Sequence, residues 1–587
     1  MASFPKNPSP LQRERRWIAR PPNEVVLEGL LSGSAAMGLP EALLTVLSRR
    51  VDHSDKAERF LRPVLQDLSD PFEMPDMRAA VDRLFQAIDE GQEITLFGDY
   101  DVDGVTSCSL MREVLDGYGN TPEVYLPERQ AEGYGVTVAG LERCLERFPE
   151  TKLFIAIDCG TNSKAEIASL AEKGIDVLVL DHHETSESKM ADCVAVVNPK
   201  RPDSGDHDYL CSVGIVFKVA HALLKDRPLE NFDLRERLDL VAFGTVADIV
   251  PLIGENRILV KRGLDRMQKT TRPGILALRE VAGIKDESIK QASSIGFGLG
   301  PRINAAGRLG SAKDSLDLLL TDDMEVARAS AKTLEGMNRD RRQIEDDILV
   351  EAREMAEAQL AKKDVPAVVL GHPGWHVGVV GIVAARMVRQ FHRPAIVIGF
   401  DEAGRGKGSG RSVAGFSLVE ALDASRGHLL AGGGHEQAVG MTVAQDSFED
   451  FRTAFIAAVA AKITPEQLEP KLHLDAELEL ADLDFDFLEQ LGRLEPFGSM
   501  NFEPLFYARG VRPGHEPRWL KEKHLKVQLC QGIARLDAIY FNAPQNLPEP
   551  PWDVAFSASK NHYKGRTTVQ LLLRAIRSAG EVEVGMR

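Results

Sequence analysis

The sequence predicts a multidomain α/β protein with a parallel-sheet domain, a long helical connector, a second, smaller α/β domain and a C-terminal β-barrel. Three observations lead to this prediction. The chain has 587 residues, which is too long for one hydrophobic core. Between residues 94 and 252, short apolar runs alternate with helical stretches, the rhythm of an α/β fold. After residue 469 the sequence alternates and is rich in turns, as in a small barrel.

The predicted domain boundaries follow changes in composition along the chain. The first twenty or so residues are rich in Arg and Pro and are predicted to form an arm that packs late. Residues 324–363 are dominated by Ala, Glu, Arg and Leu, with one Gly and no Pro, as in one long helix or two abutting ones. The predicted segments are an N-terminal arm (1–50), a first α/β domain (51–323), a helical connector (324–363), a second α/β domain (364–465) and a barrel (466–587).

The strand predictions rest on short apolar runs. In the first domain these runs are 94–97, 153–157 and 177–180, and they are apolar almost throughout, as in a parallel sheet covered on both faces. The later domains contain strand candidates at 367–370, 395–398, 525–529 and 568–572, with Gly-rich loops at 404–410 and 432–434.

Composition limits the possible classes of protein. The net charge is −17, but residues 505–587 carry 13 Lys and Arg against 7 Asp and Glu. A basic module is therefore attached to an acidic body, and only that module fits phosphate binding by charge. No signal peptide and no run of about 18 apolar residues is found, so we expect a cytoplasmic protein without membrane association. The cysteines include no CxxC pair, which argues against a zinc site or a disulfide framework: Cys108, Cys144, Cys159, Cys193, Cys211 and Cys530.

Acidic and imidazole side chains directly follow the three apolar runs of the first domain. In an open α/β sheet, ligands bind beyond the carboxyl ends of the strands, so this placement predicts a site there. Asp99, Asp101 and Asp103 alternate after the first run and would share one face of an extended backbone. Mg²⁺ or Mn²⁺ would neutralise their repulsion. The alternatives are a solvated loop or a calcium-binding turn, which needs a Glu where Leu110 stands.

The later positions give individually weaker signals. Asp158 follows the second run, where a helix cap is the simpler interpretation. The segment 181–184, Asp-His-His-Glu, follows the third run and suits a metal site, with one imidazole as ligand and the other free for phosphate or acid–base chemistry. A surface His pair is the alternative. Asp248 stands where an apolar helical pattern breaks before Pro251. The order of these signals and their position at strand ends carry the prediction.

These residues resemble known motifs. GDYDVDG (98–104), IDCG (157–160), DHHE (181–184) and GTVADIVPL (244–252) are similar, in this order, to the metal-binding motifs of the DHH phosphoesterases. GPRINAAGR (300–308) is similar to a motif of the RecJ nucleases in that family. Residues 408–412 and 432–435 resemble the DHH-associated domain, although 432–435 alone could be a plain Gly-rich turn, and the barrel resembles an OB-fold.

The resemblance implies a centre of two divalent metal ions, Mn²⁺ or Mg²⁺, with Asp158 as the bridging ligand. In the related family II pyrophosphatases a ligand His precedes the Asp-x-Asp pair by four residues, where this chain has Phe97, which favours a nuclease and leaves the share of Asp99 open. His183 is expected to contact or protonate the substrate, and Asp181 to orient an imidazole. The implied metal ligands are Asp99, Asp101, Asp103, Asp158, His182 and Asp248. The implied substrate-binding residues are Arg302, Asn304, Arg308, Ser409, Arg411 and His435.

The function implied by the resemblance is hydrolysis of single-stranded DNA from its 5′ end to mononucleotides, in recombination and repair. The expected partners are single-stranded DNA, a single-stranded-DNA-binding protein and a RecQ-type helicase, with a monomeric protein. A phosphoesterase for short oligonucleotides or cyclic dinucleotides is the alternative enzyme, and a degenerate DNA-binding scaffold would require lost ligands. The candidate DNA-binding residues of the barrel are Trp519, Lys521, Lys523, Lys526, Tyr540 and Tyr563.

Overall fold

The structure is a computed structural model, and it describes residues 15–33, 38–128, 132–133, 135–362, 365–580 and 582–585. The first fourteen residues of the predicted arm therefore lie outside the described residues. The N-terminal elements are β1 (Arg16–Ala19), α1 (Glu24–Ser32), α2 (Glu41–Ser48) and α3 (Ala57–Leu61).

The first α/β domain contains a five-stranded parallel sheet. Its elements are α4 (Met77–Asp89), β2 (Ile94–Gly98), α5 (Val102–Gly117), β3 (Glu123–Tyr125), α6 (Val138–Arg147), β4 (Leu153–Ile157), α7 (Lys164–Ala171), β5 (Asp176–Leu180), β6 (Ala195–Val197), α8 (Ser212–Asp226), α9 (Leu238–Ala247), α10 (Gly254–Gln268), α11 (Pro273–Ala282), α12 (Gly300–Leu309) and α13 (Lys313–Leu320). A π-helical turn at Ser294–Leu299 leads into α12.

The strand order places a ligand site at a defined point of this sheet. The order is β3-β2-β4-β5-β6, and all neighbouring pairs are parallel. Strands β2 and β4 are buried along their whole length, as their apolar sequences predict. The chain leaves β2 in one direction to form β3 and in the other to form β4 to β6, so the topological switch point lies between β2 and β4.

A single 39-residue helix, α14 (Met324–Lys362), links the two α/β domains. Its first half packs in the core of the first domain through Ala327, Ala331 and Leu334. Its second half packs against the second domain through Ile348 and Ala352. The predicted connector is thus a continuous helix whose two halves belong to different cores.

The second α/β domain has a mixed five-stranded sheet. Its elements are β7 (Val368–Pro373), α15 (Val380–Phe391), β8 (Ala395–Phe400), β9 (Arg405–Arg411), α16 (Leu418–Ala424), β10 (Ala431–Gly434), β11 (Ala438–Ala444) and α17 (Phe448–Lys462). The strand order is β10-β11-β9-β8-β7, with β7 and β8 parallel and the other pairs antiparallel.

The C-terminal domain is a barrel. Its elements are β12 (Lys471–Leu474), β13 (Ala476–Glu477), α18 (Phe485–Gly492), β14 (Phe506–Pro513), β15 (Arg518–Leu520), β16 (His524–Gln531), β17 (Ala534–Tyr540), β18 (Trp552–Tyr563), β19 (Arg566–Ser578) and β20 (Glu583–Val584). The sheet has the order β13-β14-β18-β19-β17-β16-β15, and it closes because β14 also pairs with β16.

The N-terminal segment differs from the predicted arm, because its described part is built into the C-terminal domain. Strand β1 pairs in parallel with β12 and β20. Val26, Leu43 and Leu47 share one hydrophobic core with Phe487 and Phe506 of the C-terminal domain. Residues 15–33 and 38–61 therefore pack as part of the C-terminal unit, through contacts more than 400 residues apart in sequence.

A buried arginine joins the first and last domains. Arg257 of α10 is 3% exposed, and its guanidinium lies 3.8 Å from the ring centre of Phe60. It donates hydrogen bonds to the carbonyl oxygens of Phe60 (3.0 Å), Arg493 (3.2 Å), Leu494 (3.0 Å) and Glu495 (2.8 Å). Of the helices within the described residues, none is long and apolar enough to cross a membrane.

Candidate metal centre and anion-binding cavity

The predicted acidic and imidazole residues meet at the carboxyl edge of the parallel sheet. Asp99 follows β2, Asp158 follows β4, and 181–183 follow β5. Asp248 joins them from the end of α9. All of these ends lie at or beside the switch point between β2 and β4, which is where open α/β sheets bind ligands.

The loop after β2 is held rigidly by helix N-termini. Asp101 caps α5, because its Oδ1 accepts hydrogen bonds from the backbone N–H groups of Asp103 (2.9 Å) and Gly104 (3.3 Å). The two oxygens of Asp103 accept from the N–H groups of Ser212 (2.7 Å) and Val213 (2.9 Å), which begin α8. This loop is the start of a helix and has no resemblance to a calcium-binding turn.

Asp158 occupies the middle of the cluster in a strained backbone conformation. Its φ is 63°, in the left-handed region that Asp tolerates better than most residues. Its Oδ1 accepts a hydrogen bond from the Ser212 hydroxyl at 2.9 Å and lies 3.3 Å from Nε2 of His182. The same nitrogen lies 3.5 Å from Oδ2 of Asp248 and 3.9 Å from Oδ2 of Asp103. The position that could have been only a helix cap therefore faces three other predicted ligands.

Asp181 organises the adjacent imidazoles. Its Oδ1 accepts from the backbone N–H groups of His182 (2.7 Å) and His183 (3.2 Å) and lies 2.6 Å from Nδ1 of His183. Its Oδ2 accepts from Thr161 N at 3.1 Å. Burial alone would raise the pKa of Asp181, but the His183 charge and hydrogen bond hold it below its usual value. Asp181 therefore fixes the ring of His183 through Nδ1, a contact that an orienting carboxylate would make.

The carboxylates of the cluster lie close together and raise one another's pKa values. Burial, followed by the charge of Asp101, raises the pKa of Asp103 to about 7. Burial and the neighbouring carboxylates also raise the pKa values of Asp158 and Asp248 well above the usual range. Burial and the His183 charge lower the pKa of His182 to about 3, which keeps its imidazole neutral. Clustered, buried carboxylates next to a neutral imidazole are suited to bind cations.

This donor set fits divalent metal ions. Three groups have ligand atoms within 4.8 Å of one another: Asp99, Asp101 and Asp158; Asp103, His182 and Asp248; and Asp158, His182 and His183. Oδ2 of Asp248 is buried and accepts no hydrogen bond within the described part of the chain. Carboxylate oxygens with one imidazole are ligands that Mn²⁺ and Mg²⁺ accept. Asp158 and His182 each belong to two of these groups, so both lie in the middle of the cluster. Asp99 belongs with Asp101 and Asp158, so the geometry includes it among the possible ligands.

A cavity of about 560 Å³ lies between α12 and the second α/β domain. Lys407, Ser409 and Arg411 alternate on β9 and line it, and the start of α15 forms the opposite wall. Arg411 Nη1 donates to the Ser409 hydroxyl at 2.8 Å. A Cβ at Gly381 would lie 3.1 Å from Oγ of Ser409, so a side chain there would push against the Ser409 hydroxyl. Basic side chains opposite a helix N-terminus are suited to a phosphate group.

Arg308 connects this cavity to the metal centre. It stands on α12, lines the cavity, and donates from Nη1 to the carbonyl oxygen of Gly378 at 2.8 Å. Asn304, one turn earlier on the same helix, accepts from the backbone N–H of Val102 at 3.2 Å, beside the metal-binding loop. Residues i and i+4 share a helix face, so α12 spans the distance between the two sites.

Not every predicted substrate-binding residue lines the cavity. Arg308, Ser409 and Arg411 do, whereas Arg302, Asn304 and His435 are not among its lining residues. Arg302 is only 8% exposed, and its Nε lies 2.6 Å from Oε2 of Glu335. Its guanidinium therefore forms an ion pair between α12 and α14. Asn304 holds the metal-binding loop, and His435 is exposed.

Sequence reasoning missed two parts of the cavity. Lys407 belongs to it, and its alternation with Ser409 and Arg411 in the sequence is the period-two signal that could have revealed it. Gly378, Val380 and Gly381, at the start of α15, also line the cavity and belong to no charged motif.

The aromatic candidates of the barrel differ in exposure. Trp519 and Tyr540 pack against the hydrophobic core, and the hydroxyl of Tyr540 donates to the carbonyl oxygen of Arg574 at 3.0 Å. Tyr563, at the end of β18, is 66% exposed. Lys521, Lys523 and Lys526 are exposed. Among the three aromatic candidates, Tyr563 is therefore the most exposed.

Comparisons with known proteins match each domain. Residues 93–245 match the DHH family, N-terminal domain; residues 362–461 match the DHHA1 domain; and residues 474–575 match the RecJ OB domain. The single-stranded-DNA-specific exonuclease RecJ of Bacillus subtilis is 34% identical over 571 residues, which cover 96% of this chain and 71% of that protein. The same-named protein of Escherichia coli K12 is 35% identical over 562 residues, which cover 90% of this chain and 94% of that protein.

The solved structures agree with these matches. The crystal structure of RecJ in complex with Mn²⁺ from Thermus thermophilus aligns with a TM-score of 0.80 and 30% identity, over 97% of this chain and 81% of that one. The match extends over the parallel-sheet domain, the second α/β domain and the barrel. By sequence and by structure, this chain belongs to the RecJ family of DHH proteins.

Proposed function

We propose that this chain is a metal-dependent phosphodiesterase that hydrolyses single-stranded DNA from its 5′ end to mononucleotides. The observation that carries the proposal is the pairing of an anionic cluster with a cationic cavity across α12. Asn304 contacts the metal-binding loop and Arg308 lines the cavity, and the two positions are four residues apart, about 6 Å along the helix axis. That short separation suits a substrate whose terminal phosphate lies in the cavity while the next phosphate lies at the metal centre.

Two Mn²⁺ or Mg²⁺ ions would be held by Asp99, Asp101, Asp103, Asp158, His182 and Asp248. When bound, such ions lower the pKa of a water molecule and neutralise the charge that develops on the phosphate. The relatives whose structures contain Mn²⁺ or Mg²⁺ support this choice of metals. Ser212 fixes two of these side chains, because its backbone N–H donates a hydrogen bond to Asp103 and its hydroxyl donates one to Asp158.

His183 is proposed to contact the scissile phosphate or to protonate the leaving oxygen. Its Nδ1 is engaged by Asp181 at 2.6 Å, so Nε2 is the nitrogen that can face a substrate. Burial alone would lower the pKa of His183, but the Asp181 charge and hydrogen bond raise it above its usual value. A raised pKa favours the protonated ring, which can donate a hydrogen bond or a proton.

The cavity is proposed to bind the 5′-terminal phosphate. Arg308, Lys407 and Arg411 supply positive charge, Ser409 supplies a hydroxyl, and α15 contributes the N–H groups of its first turn. The barrel is proposed to hold the strand, with exposed lysines for the phosphates and Tyr563 for stacking on a base.

We further propose that the protein acts as a monomer in the cytoplasm, in DNA recombination and repair. Its partners there would be a single-stranded-DNA-binding protein and a RecQ-type helicase, which supply single strands to an enzyme of this specificity. We infer these two partners from the family to which the chain belongs. Size-exclusion chromatography with light scattering, and affinity capture with each purified partner, would test the monomer and the two associations.

The deciding experiment is digestion of a long oligonucleotide labelled at either end, offered as a single strand and as a blunt duplex, with Mn²⁺ or Mg²⁺ and then with chelator. Early release of mononucleotides from the 5′ label, dependent on metal and confined to the single strand, is the expected result. Release from the 3′ label would contradict the polarity. Cleavage of dinucleotides or trinucleotides alone would instead identify a short-oligonucleotide phosphoesterase.

A further inference from the structure

A fourth strand of the parallel sheet also ends beside the metal centre. Strand β6 pairs with β5, and its carboxyl end leads into Asn198, Pro199 and Lys200. Strands β2, β4 and β5 deliver the predicted ligands, so β6 brings these residues to the same edge of the sheet. Neither Asn198 nor Lys200 belongs to the motifs identified in the sequence.

Asn198 ties this strand end to the imidazole pair. It is fully buried, and its Nδ2 donates to the carbonyl oxygen of His183 at 3.0 Å and to the hydroxyl of Thr161 at 3.0 Å. Its Oδ1 accepts from the backbone N–H of Lys200 at 2.8 Å. One amide therefore fixes the backbone of His183 and that of Lys200 relative to each other.

The ammonium group of Lys200 lies at the rim of the metal centre. Its side chain is 25% exposed, and Nζ lies 3.2 Å from Oε1 of Glu184, whose side chain is 65% exposed. Glu184 directly follows the imidazole pair His182 and His183, so this contact holds the ammonium group beside them.

The simpler interpretation of Lys200 is a surface ion pair with Glu184. Exposed pairs of this kind contribute about 0–1 kcal/mol, because water screens both charges. Such a pair does not require a buried asparagine that fixes the lysine backbone to His183. Glu184 is the more exposed partner and follows His183 directly, so a phosphate bound at His183 would compete with it for the ammonium group.

We propose that Lys200 binds a non-bridging oxygen of the scissile phosphodiester, exchanging Glu184 for the substrate, and that Asn198 is the positioning residue for this contact. This assignment rests on the proposed phosphodiesterase function. Lys200 transfers no proton and forms no bond in the reaction. Its three N–H donors offset the negative charge that increases on the phosphate as the bond to the leaving oxygen breaks.

The test compares Lys200→Ala and Lys200→Arg with Lys189→Ala, an exposed lysine eleven residues earlier that serves as the matched control. We expect Lys200→Ala to lower kcat/KM on single-stranded DNA about 100-fold, the size of effect found when one donor to a developing charge is removed. Lys200→Arg should keep most of the activity, and Lys189→Ala all of it. Mn²⁺ affinity, measured by calorimetry without DNA, should change less than about 2-fold in all three.

A phosphorothioate substrate separates a direct contact from a structural role. Sulfur in place of one non-bridging oxygen should slow the wild-type protein more than Lys200→Ala for one of the two diastereomers, because the variant has already lost the hydrogen bond to that atom. Asn198→Ala should show the same pattern, and Glu184→Ala should lower KM because the competing carboxylate is gone. Equal sulfur effects in wild type and Lys200→Ala would refute the contact.

Bis(4-nitrophenyl) phosphate, a diester without bases, keeps the two proposals separate. If the wild-type protein cleaves neither single-stranded nor duplex DNA but hydrolyses this diester, the DNA exonuclease proposal fails. The role of Lys200 is still tested on the diester, where Lys200→Ala should lose the same factor in kcat/KM. Wild-type activity on DNA together with unchanged activity of Lys200→Ala on both substrates would overturn the role of Lys200 alone.

Discussion

Two buried clusters of charge in the first domain show opposite behaviour. In the metal centre, burial and neighbouring carboxylates raise the pKa of Asp103 to about 7. In the second cluster, Lys218 of α8 is fully buried, and its Nζ lies 2.9 Å from Oε2 of Glu255 and 2.8 Å from the Ser69 hydroxyl. Burial alone would raise the pKa of Glu255, but a hydrogen bond from His207 and the Lys218 charge lower it to about 2.

The same helix supports both clusters. The N-terminus of α8 binds Asp103 through Ser212 and Val213, and Lys218 stands six residues further along. The chain itself supplies every partner that Glu255 needs, so that cluster is structural. Around Asp158 the neighbouring carboxylates raise one another's pKa values, and the Lys200 charge offsets this only in part at Asp248, so that cluster is suited to bind metal ions. The direction of the carboxylate pKa shift, rather than the degree of burial, distinguishes the structural cluster from the metal-binding one.

The largest effect is expected from Asp158→Asn. Loss of a residue that orients a metal ligand typically costs 10–100-fold, so loss of the proposed bridging ligand itself should cost more, about 10³-fold in kcat/KM with Mn²⁺. Asn also tolerates the left-handed backbone at this position, where φ is 63°, so the fold should survive. Nuclease assays and Mn²⁺ titration would measure both losses.

Thermal unfolding in chelator provides the control for this variant. Without metal, Asp158→Asn removes one of several repelling carboxylates, so the variant should unfold at the same or a higher temperature than the wild type. A large drop in unfolding temperature in chelator would show that Asp158 is structural, and the contrast between the two clusters would fail.

The next effect is expected from Glu255→Gln, which should leave Mn²⁺ binding intact and lower stability by about 3 kcal/mol at pH 7, since a buried pair loses one partner. The folded-state pKa of about 2 lies below the ordinary 4.5, so this contribution is present above pH 4.5 and is lost as pH falls toward 2. Urea unfolding of both proteins between pH 7 and 3 should therefore give curves that converge in acid. A constant difference across that range would contradict the linkage.

A smaller loss is expected from Arg257→Met at the joint between the first and last domains. Burial lowers the pKa of Arg257 to about 9, yet its guanidinium has four carbonyl acceptors. Removing it leaves buried oxygens without donors, at about 1–3 kcal/mol for each unsatisfied group, partly relieved by relaxation. We expect a loss of about 2 kcal/mol in urea unfolding and faster proteolysis between the domains. Lys56→Ala, in an exposed pair with Asp52, is the control and should change stability by less than 1 kcal/mol.

The metal centre could be predicted from the sequence because its information is local. Asp99, Asp158 and His182 each follow an apolar strand within one or two residues, and parallel strands end at one edge. Lys200 and Asn198 reach the same edge, but a polar residue after a short strand such as β6 gives no distinctive pattern. Their role depends on which backbone groups lie nearby in the fold.

Long side chains and distant pairings could not be predicted. Arg302 was assigned to the substrate, yet its partner Glu335 stands on α14, and nothing in the order of residues indicates which helix packs beside it. Strand β1 pairs with β12 across more than 450 residues, and Trp17 packs against Leu472 and Leu474. Such non-local contacts give no periodic signal in the sequence. The segment predicted to be an arm therefore packs, in the structure, as part of the C-terminal domain.

The smallest effect is expected in the cationic cavity, where side chains rather than metal ions supply the positive charge. Arg411→Ala should lower the preference for 5′-phosphorylated over 5′-hydroxyl single strands about 10-fold, since a hydrogen bond to a charged group is worth about 1.5–3 kcal/mol and Arg308 and Lys407 remain. Competition between the two substrates, each with its own label, measures the ratio directly. Arg389→Ala, an exposed arginine on α15, should leave the ratio unchanged. An equal loss on both substrates would move Arg411 from binding the 5′ phosphate to supporting the cavity wall, because only a contact with the terminal phosphate distinguishes the two ends.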